Sequence, residues 1–173
     1  MSQDLERRIA RLEAIEAVRH AFNRYFHAID NNKIDVLINE VYAPNVVVEV
    51  GNYPPGSGNN LLLDTEEKIR GIYQPIPADG HRHNPTNTSV VVNDDLTEAY
   101  VTSYFVTTIA WGNQGGIYEA TFIPMGDGTW RASKWLVASQ WGWRLKDIPM
   151  ELPPPYLYET PSTGSHYDGM QAG

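Results

Sequence analysis

Residues 14–33, AIEAVRHAFNRYFHAIDNNK, constrain this chain more than any other stretch. Ile15, Val18, Phe22, Tyr25, Phe26 and Ile29 recur at three- and four-residue spacings, which predicts a helix with one apolar face. Phe22, Phe26 and Asp30 share one i, i+4 row, so a carboxylate closes a stripe that otherwise looks into a core. Stripping water from a carboxylate is costly, and such a group is rarely buried without a partner. Two readings follow. Either Asp30 is an ordinary solvated residue at a helix end marked by Asn31-Asn32, or it meets a donor across the core.

The rest of the chain suggests where that donor comes from. Residues 34–42 repeat the helical pattern briefly, and Ala43-Pro44-Asn45 reads as its stop. Residues 46–50 (VVVEV) are β-branched and read as a short strand. Residues 51–60 (GNYPPGSGNN) form a loop, and Asp64-Thr65-Glu66-Glu67 has the form of a capping box with Asp64 as the N-cap. From His81 onward the period changes. Residues 81–92, 96–111, 116–125 and 129–143 read as four strands, with turns at 93–95, 112–115 and 126–128. Short turns imply antiparallel hairpins, and the great length of the last strands implies curvature or a bulge. Helices followed by such a sheet make an α+β domain: a cone-shaped, curved antiparallel sheet wrapped around a long N-terminal helix. Residues 1–147 form this domain, and the Pro- and Gly-rich residues 148–173 read as a tail. The charged residues 2–11 read as an outer helical turn or an arm on a partner subunit.

Composition narrows the function. At 42% hydrophobic and 11% aromatic, the 173 residues can bury a sizeable core as one domain. A net charge of −8 and the lack of any basic run argue against nucleic acid as the main partner. No cysteine is present, so neither disulfides nor thiolate chemistry are expected, a usage compatible with the cytoplasm. No apolar run approaches the roughly 18 residues of a membrane span, and the N-terminus carries no secretory h-region. No phosphate loop, nucleophile elbow or dinucleotide fingerprint occurs, and the chain shows no cofactor signature.

His81 and His83 flank Arg82 at the start of a strand and share parity, so both leave one face. Such a pair could be metal ligands, but no further ligand is evident, and two surface histidines are the bland alternative. The preferred reading sets His83 into the cavity against Asp30. A carboxylate on one ring nitrogen fixes the tautomer and leaves the other nitrogen free to take a proton. Tyr25 lies at the far edge of the helical stripe, where its phenol could be a general acid, hold a substrate oxygen, or simply pack in the core. Phe26, Phe105, Trp111, Tyr118, Phe122, Trp135 and Trp141 are candidate walls for a flat apolar ligand, with plain core packing as the alternative for most. Many aromatics on an open sheet also suggest a homodimer or higher homo-oligomer.

The order of elements, the helix RLEAIEAVRHAFNRYFHAIDNNKIDVL, the HNPTN strand opening and the G-x-Y-E…DGTWR…K stretch at 116–134 together resemble the SnoaL-like branch of the nuclear transport factor 2-like superfamily over about residues 5–143. The branch includes dehydratases of scytalone and bile acid type and a dehydrochlorinase, and isomerases share the cone. The resemblance implies that Asp30 and His83 form a catalytic pair with Tyr25 beside it. It further implies cofactor-free, metal-free proton abstraction on a small hydrophobic cyclic substrate, as a dehydratase-type lyase or an isomerase. A non-catalytic binding or oligomerisation module of the same fold is the alternative.

Overall fold

The structure, a computed structural model, describes residues 3–52, 60–75, 81–109 and 112–144. Helix α1 (Gln3–Asp30) is continuous, so the charged opening residues simply extend it. Its inward side is Ala14, Val18, Ala21, Phe22, Tyr25, Phe26, Ala28 and Ile29, the row read from the sequence. Asn32 ends it. With φ at 52° its backbone is left-handed, the Asn32 N–H donates to Ile29 O (3.0 Å) and the Lys33 N–H to Ala28 O (2.7 Å). This is the paired C-terminal bonding that consumes free helix carbonyls, with Asn in the place glycine usually takes. Asp30 is therefore both the last helical residue and a member of the apolar row.

A short turn of helix, α2 (Ile34–Val36), widens into a π-helical turn at Leu37–Val41 and leads into β1 (Tyr42–Asn52). The Ala43-Pro44-Asn45 stop thus lies inside a strand, where the ladder shifts register between Tyr42 and Val47 and Pro44 need not donate. Then follow β2 (Leu61–Leu63), α3 (Glu66–Tyr73), β3 (Arg82–Val92), β4 (Ala99–Ile109), β5 (Gly112–Pro124) and β6 (Trp130–Arg144). Strand β2 had no signal beyond three leucines. The cap of α3 is Thr65, whose side chain accepts from the Lys68 N–H (3.3 Å), and Asp64 instead pairs with the Lys68 ammonium at 2.6 Å. Residues 112–115 belong to β5 rather than to a turn.

The six strands form one sheet in the order β2-β1-β6-β5-β4-β3. Every ladder is antiparallel except β1 on β6, which is parallel. Paired residues share a face, so the register sorts the whole sheet into an inner face under α1 and an outer face. His83, Thr107 and Gln114 form one inner row, and Phe105 with Gly116 the next. A β-carbon on Gly116 would overlap the Ala138 carbonyl oxygen, so the two strands can approach there only with glycine. Beside it the β5–β6 register slips, Gly116 pairing Ser139 and Gly115 pairing Trp141. The extra residue, Gln140, reverses the parity of everything after it.

The cone is filled by rings. Trp135 stacks on Tyr25 (centroids 4.1 Å apart) and on Phe22 (5.3 Å), and Tyr118 packs against Phe105 (4.5 Å) and Phe26 (5.1 Å). All six are essentially buried. Each such ring removes a large apolar area from water, and the stacked and edge-on contacts add to that.

Candidate active site

The inner row and the end of α1 meet at one point. The His83 ring Nδ1 lies 2.6 Å from Asp30 Oδ1, and the His83 backbone N–H donates to Asp30 Oδ2 at 3.1 Å. One residue therefore occupies both carboxylate oxygens, which holds the carboxylate and the imidazole in a fixed mutual orientation. The helix C-terminus carries partial negative charge and is a poor place for a carboxylate, so the two N–H donors offset an unfavourable field as well as the loss of water. The side chains of His83 and Asp30 are 11% and 13% exposed, so the dyad is largely desolvated yet still reached by solvent. With Nδ1 turned to the carboxylate as a donor, Nε2 keeps its lone pair.

Phe26 lies one helical turn before Asp30, and its ring is 6.3 Å from the imidazole. Thr107 stands opposite His83 in the adjacent strand. Its hydroxyl is buried and makes no well-formed hydrogen bond, although it lies close enough to the Tyr118 phenol to lower that group's pKa. No sequence signal pointed to Thr107, because only the β3–β4 register sets it against His83. His81 shares the inner side, is buried, and has an unpartnered Nδ1, so it is no surface residue. His27 is exposed.

Of the remaining predicted residues, some join the dyad and others do not. Phe105 and Tyr118 belong to the ring layer beneath it. Tyr25 is not brought to it: its hydroxyl is 3.3 Å from that of Tyr73, deep in the core. Burial pushes the Tyr25 phenol well above its usual range, and the neighbouring Tyr73, Tyr118 and Tyr42 push the same way. Tyr118 is likewise raised, first by burial, then by the charges of Tyr73 and Asp30, with hydroxyls of Tyr25 and Thr107 acting in the opposite sense. Tyr42 and Tyr73 are raised for the same leading reason. Phe122 and Trp135 are wholly enclosed core. Trp141 is a correction. Simple alternation from Trp135 would point it inward, but the Gln140 bulge turns it to the outer face, where its ring covers Gly115 and is 47% exposed. Trp111 lies outside the described residues, as does the tail 148–173.

Three cavities lined by described residues lie away from the dyad, on the outer sheet face, beside the solvent side of α1, and between α3 and the start of β1. Among the described residues no group of three or more His, Cys, Asp or Glu is placed to hold a metal ion. No described helix is long and apolar enough to cross a membrane.

The comparisons with known proteins agree with this architecture. A family model described as a SnoaL-like domain matches residues 10–136. An NTF2-like protein with a cystatin-like fold from Novosphingobium aromaticivorans superimposes with a TM-score of 0.65 at 19% identity, covering 80% of this chain and 90% of its own. The β subunit of a candidate aromatic-ring-hydroxylating dioxygenase from the same organism gives 0.58 at 14% identity, covering 75% and 91%. A candidate ketosteroid isomerase from Shewanella frigidimarina gives 0.54 at 13% identity, covering 69% and 93%. At these identities the likeness is one of fold. No curated protein sequence matches the chain.

Proposed function

The chain belongs to the SnoaL-like domain family, and from that premise we propose that it is a cofactor-independent lyase of dehydratase type, or an isomerase using the same proton transfer. The observation that carries this reading is the 2.6 Å contact between His83 Nδ1 and Asp30 Oδ1 in a nearly dry setting. His83 is the base and Asp30 the positioning group that fixes its tautomer and stabilises the imidazolium formed when Nε2 takes a proton.

In the elimination, the substrate C–H bond breaks and its proton goes to Nε2. The electron pair becomes the new double bond, and the neighbouring C–O bond breaks with its pair on oxygen. Return of a proton to that hydroxide gives water, so the net change is loss of water from the substrate. In the isomerisation the same proton is returned to a different carbon. The Phe26 ring, 6.3 Å from the imidazole, gives the dyad an apolar neighbour, which suits a small hydrophobic cyclic substrate whose acidic C–H would sit beside a carbonyl or leaving group.

A panel of cyclic ketones and β-hydroxy ketones in deuterated buffer tests the reading by mass spectrometry. Wild-type protein is expected to exchange or eliminate, and His83→Ala to lose about 10²–10⁴-fold of that rate with the fold retained by circular dichroism. Unchanged turnover in a folded His83→Ala protein would sink the proposal. A second reading, a non-catalytic ligand-binding or oligomerisation module, is favoured by one feature: the rings of Phe22, Tyr25 and Trp135 already fill the deep part of the cone. It expects probes to be recovered unaltered, and Asp30→Asn to cost stability alone.

A further inference from the structure

His81 stands beside the dyad without a role in its proton transfer. The residue is 8% exposed, and its Nδ1 is enclosed without a hydrogen-bond partner among the described residues. A buried polar atom left without a partner weakens a fold, and an apolar side chain of similar shape would spare that loss, so its presence calls for a reason. The neighbouring geometry offers one. His81 precedes His83 by two residues at the opening of β3, and the Arg82 guanidinium donates to its carbonyl oxygen, which ties it to the strand. Two residues along a strand return a side chain to the same face, so both imidazoles leave the inner side, their α-carbons about 6.6 Å apart. The two rings carry their protons at opposite ends. His83 holds its proton on Nδ1 for Asp30, which leaves Nε2 as an acceptor. At His81 the enclosed nitrogen is Nδ1, while Nε2 is not enclosed in this way. Orphaned buried N–H groups are rarer in proteins than orphaned acceptors, so the His81 proton sits on Nε2, where it can reach a partner.

We propose that the His81 Nε2–H binds the oxygen that leaves in the elimination, so that His83 takes the proton and His81 holds the hydroxyl. The proposal rests on the lyase reading of the Asp30–His83 dyad, and within it decides for loss of water from a β-hydroxy carbonyl compound. Two contacts of about 3 Å, one from each ring to neighbouring atoms of one small molecule, fit the spacing of the pair. A base and a donor set side by side on one wall select a substrate whose acidic C–H and hydroxyl lie on adjacent carbons. As the C–O bond breaks, its electron pair and the negative charge gather on oxygen. A donor already aimed at that point stabilises the charge without having to reorganise. The proton on His83 Nε2 then passes to the oxygen, and water leaves with both imidazoles neutral and in their original tautomers.

Heteronuclear NMR of the histidine rings in the whole chain reads the first part without turnover. His83 is expected as the Nδ1–H tautomer and His81 as the Nε2–H tautomer. In folded His83→Ala protein, 3-hydroxycyclohexanone is expected to shift the His81 Nε2 resonance and cyclohexanone to leave it in place. Turnover in deuterated buffer reads the second part. His81→Phe is expected to keep α-hydrogen exchange on 3-hydroxycyclohexanone within about threefold of wild type while water loss falls about 10²–10³-fold. His81→Gln, whose amide N–H stands near the place of Nε2, recovers most of that loss. His83→Ala removes exchange and water loss together, so the two residues fail in different ways. A His81 proton on Nδ1, a Nε2 resonance indifferent to the hydroxyl, or a folded His81→Phe protein whose exchange and water loss fall equally would overturn the proposal. Wild type that binds the probe and leaves it unaltered, or turnover that survives His83→Ala, sinks the lyase reading and this proposal with it.

Discussion

The two faces of this sheet draw on the same residue types and do opposite things. Inward, Phe105, Tyr118, Phe122 and Trp135 are sealed under α1. Outward, Tyr100, Tyr104 and Trp141 stand about half exposed on the same strands. What separates them is cover and not composition. The inner face has a covering helix whose apolar row ends in a carboxylate, and Asp30, His83 and Thr107 lie together at that end. The outer face carries Glu49, Glu119 and Lys134 scattered among Val47, Tyr100 and Leu136. The difference teaches that a ring's value to stability or function here depends on parity, which one bulge can reverse.

Alkaline titration sets the largest effect on the inner face. Tyr25, Tyr42, Tyr73 and Tyr118 all have phenols held above the ordinary value of 10.0, chiefly by burial. Above that value the unfolded chain sheds these protons while the folded one keeps them, so the unfolded state binds fewer protons and stability falls as pH rises. Below it the contribution is fully present. Each phenol is worth at most about 1.4 kcal/mol per pH unit, so the four together make a slope of up to about 5 kcal/mol per unit. Tyrosinate absorbance should show exposed tyrosines ionising first, and the buried set appearing in one step with loss of the near-ultraviolet dichroism. Smooth ionisation of all tyrosines in a folded protein would break the distinction between the faces.

Substituting one tryptophan on each face sharpens the comparison next. Trp135→Ala removes a fully buried ring that stacks on Tyr25 and Phe22 and should cost about 3–5 kcal/mol in urea unfolding. Trp141→Ala, only six residues along the chain, should change the stability of the single chain by about 0.5 kcal/mol or less. Equal costs would mean that Trp141 lies in the core after all.

That pair also shows how far the sequence was legible. The helical row, its end at Asp30 and the shared face of His81 and His83 are local: they follow from spacings of three, four and two residues, which backbone geometry imposes, whereas which way that face looks does not. The strand order was not legible in this way. Nothing near Val47 announces a parallel ladder on β6, and while the length of the last strands implies curvature or a bulge, nothing near Gln140 fixes its position, because both are settled by long-range packing. The same holds for Thr107, placed opposite His83 only by register. Tyr25 was readable as a member of the row, but the direction of its hydroxyl depends on Tyr73, which lies 48 residues away.

The smallest effect separates two inner hydroxyls on one strand, and its sign carries the information. The Ser103 hydroxyl is fully engaged: it lies 2.9 Å from Thr88 Oγ1 and 3.0 Å from the carbonyl oxygens of Thr86 and Tyr104. Ser103→Ala strands those groups and should cost about 1–2 kcal/mol. Thr107, four residues on along the same face, has a buried hydroxyl without a well-formed bond. Thr107→Val keeps the shape and the β-branch and removes only the desolvated oxygen, so it should leave stability unchanged or raise it by about 1 kcal/mol. If Thr107→Val instead destabilises as much as Ser103→Ala, the Thr107 hydroxyl is bonded in solution, most directly to the Tyr118 phenol whose pKa it lowers. If it stabilises, a hydroxyl has been kept beside the dyad at a cost to the fold, which places Thr107 with the functional side of the inner face and not with its packing.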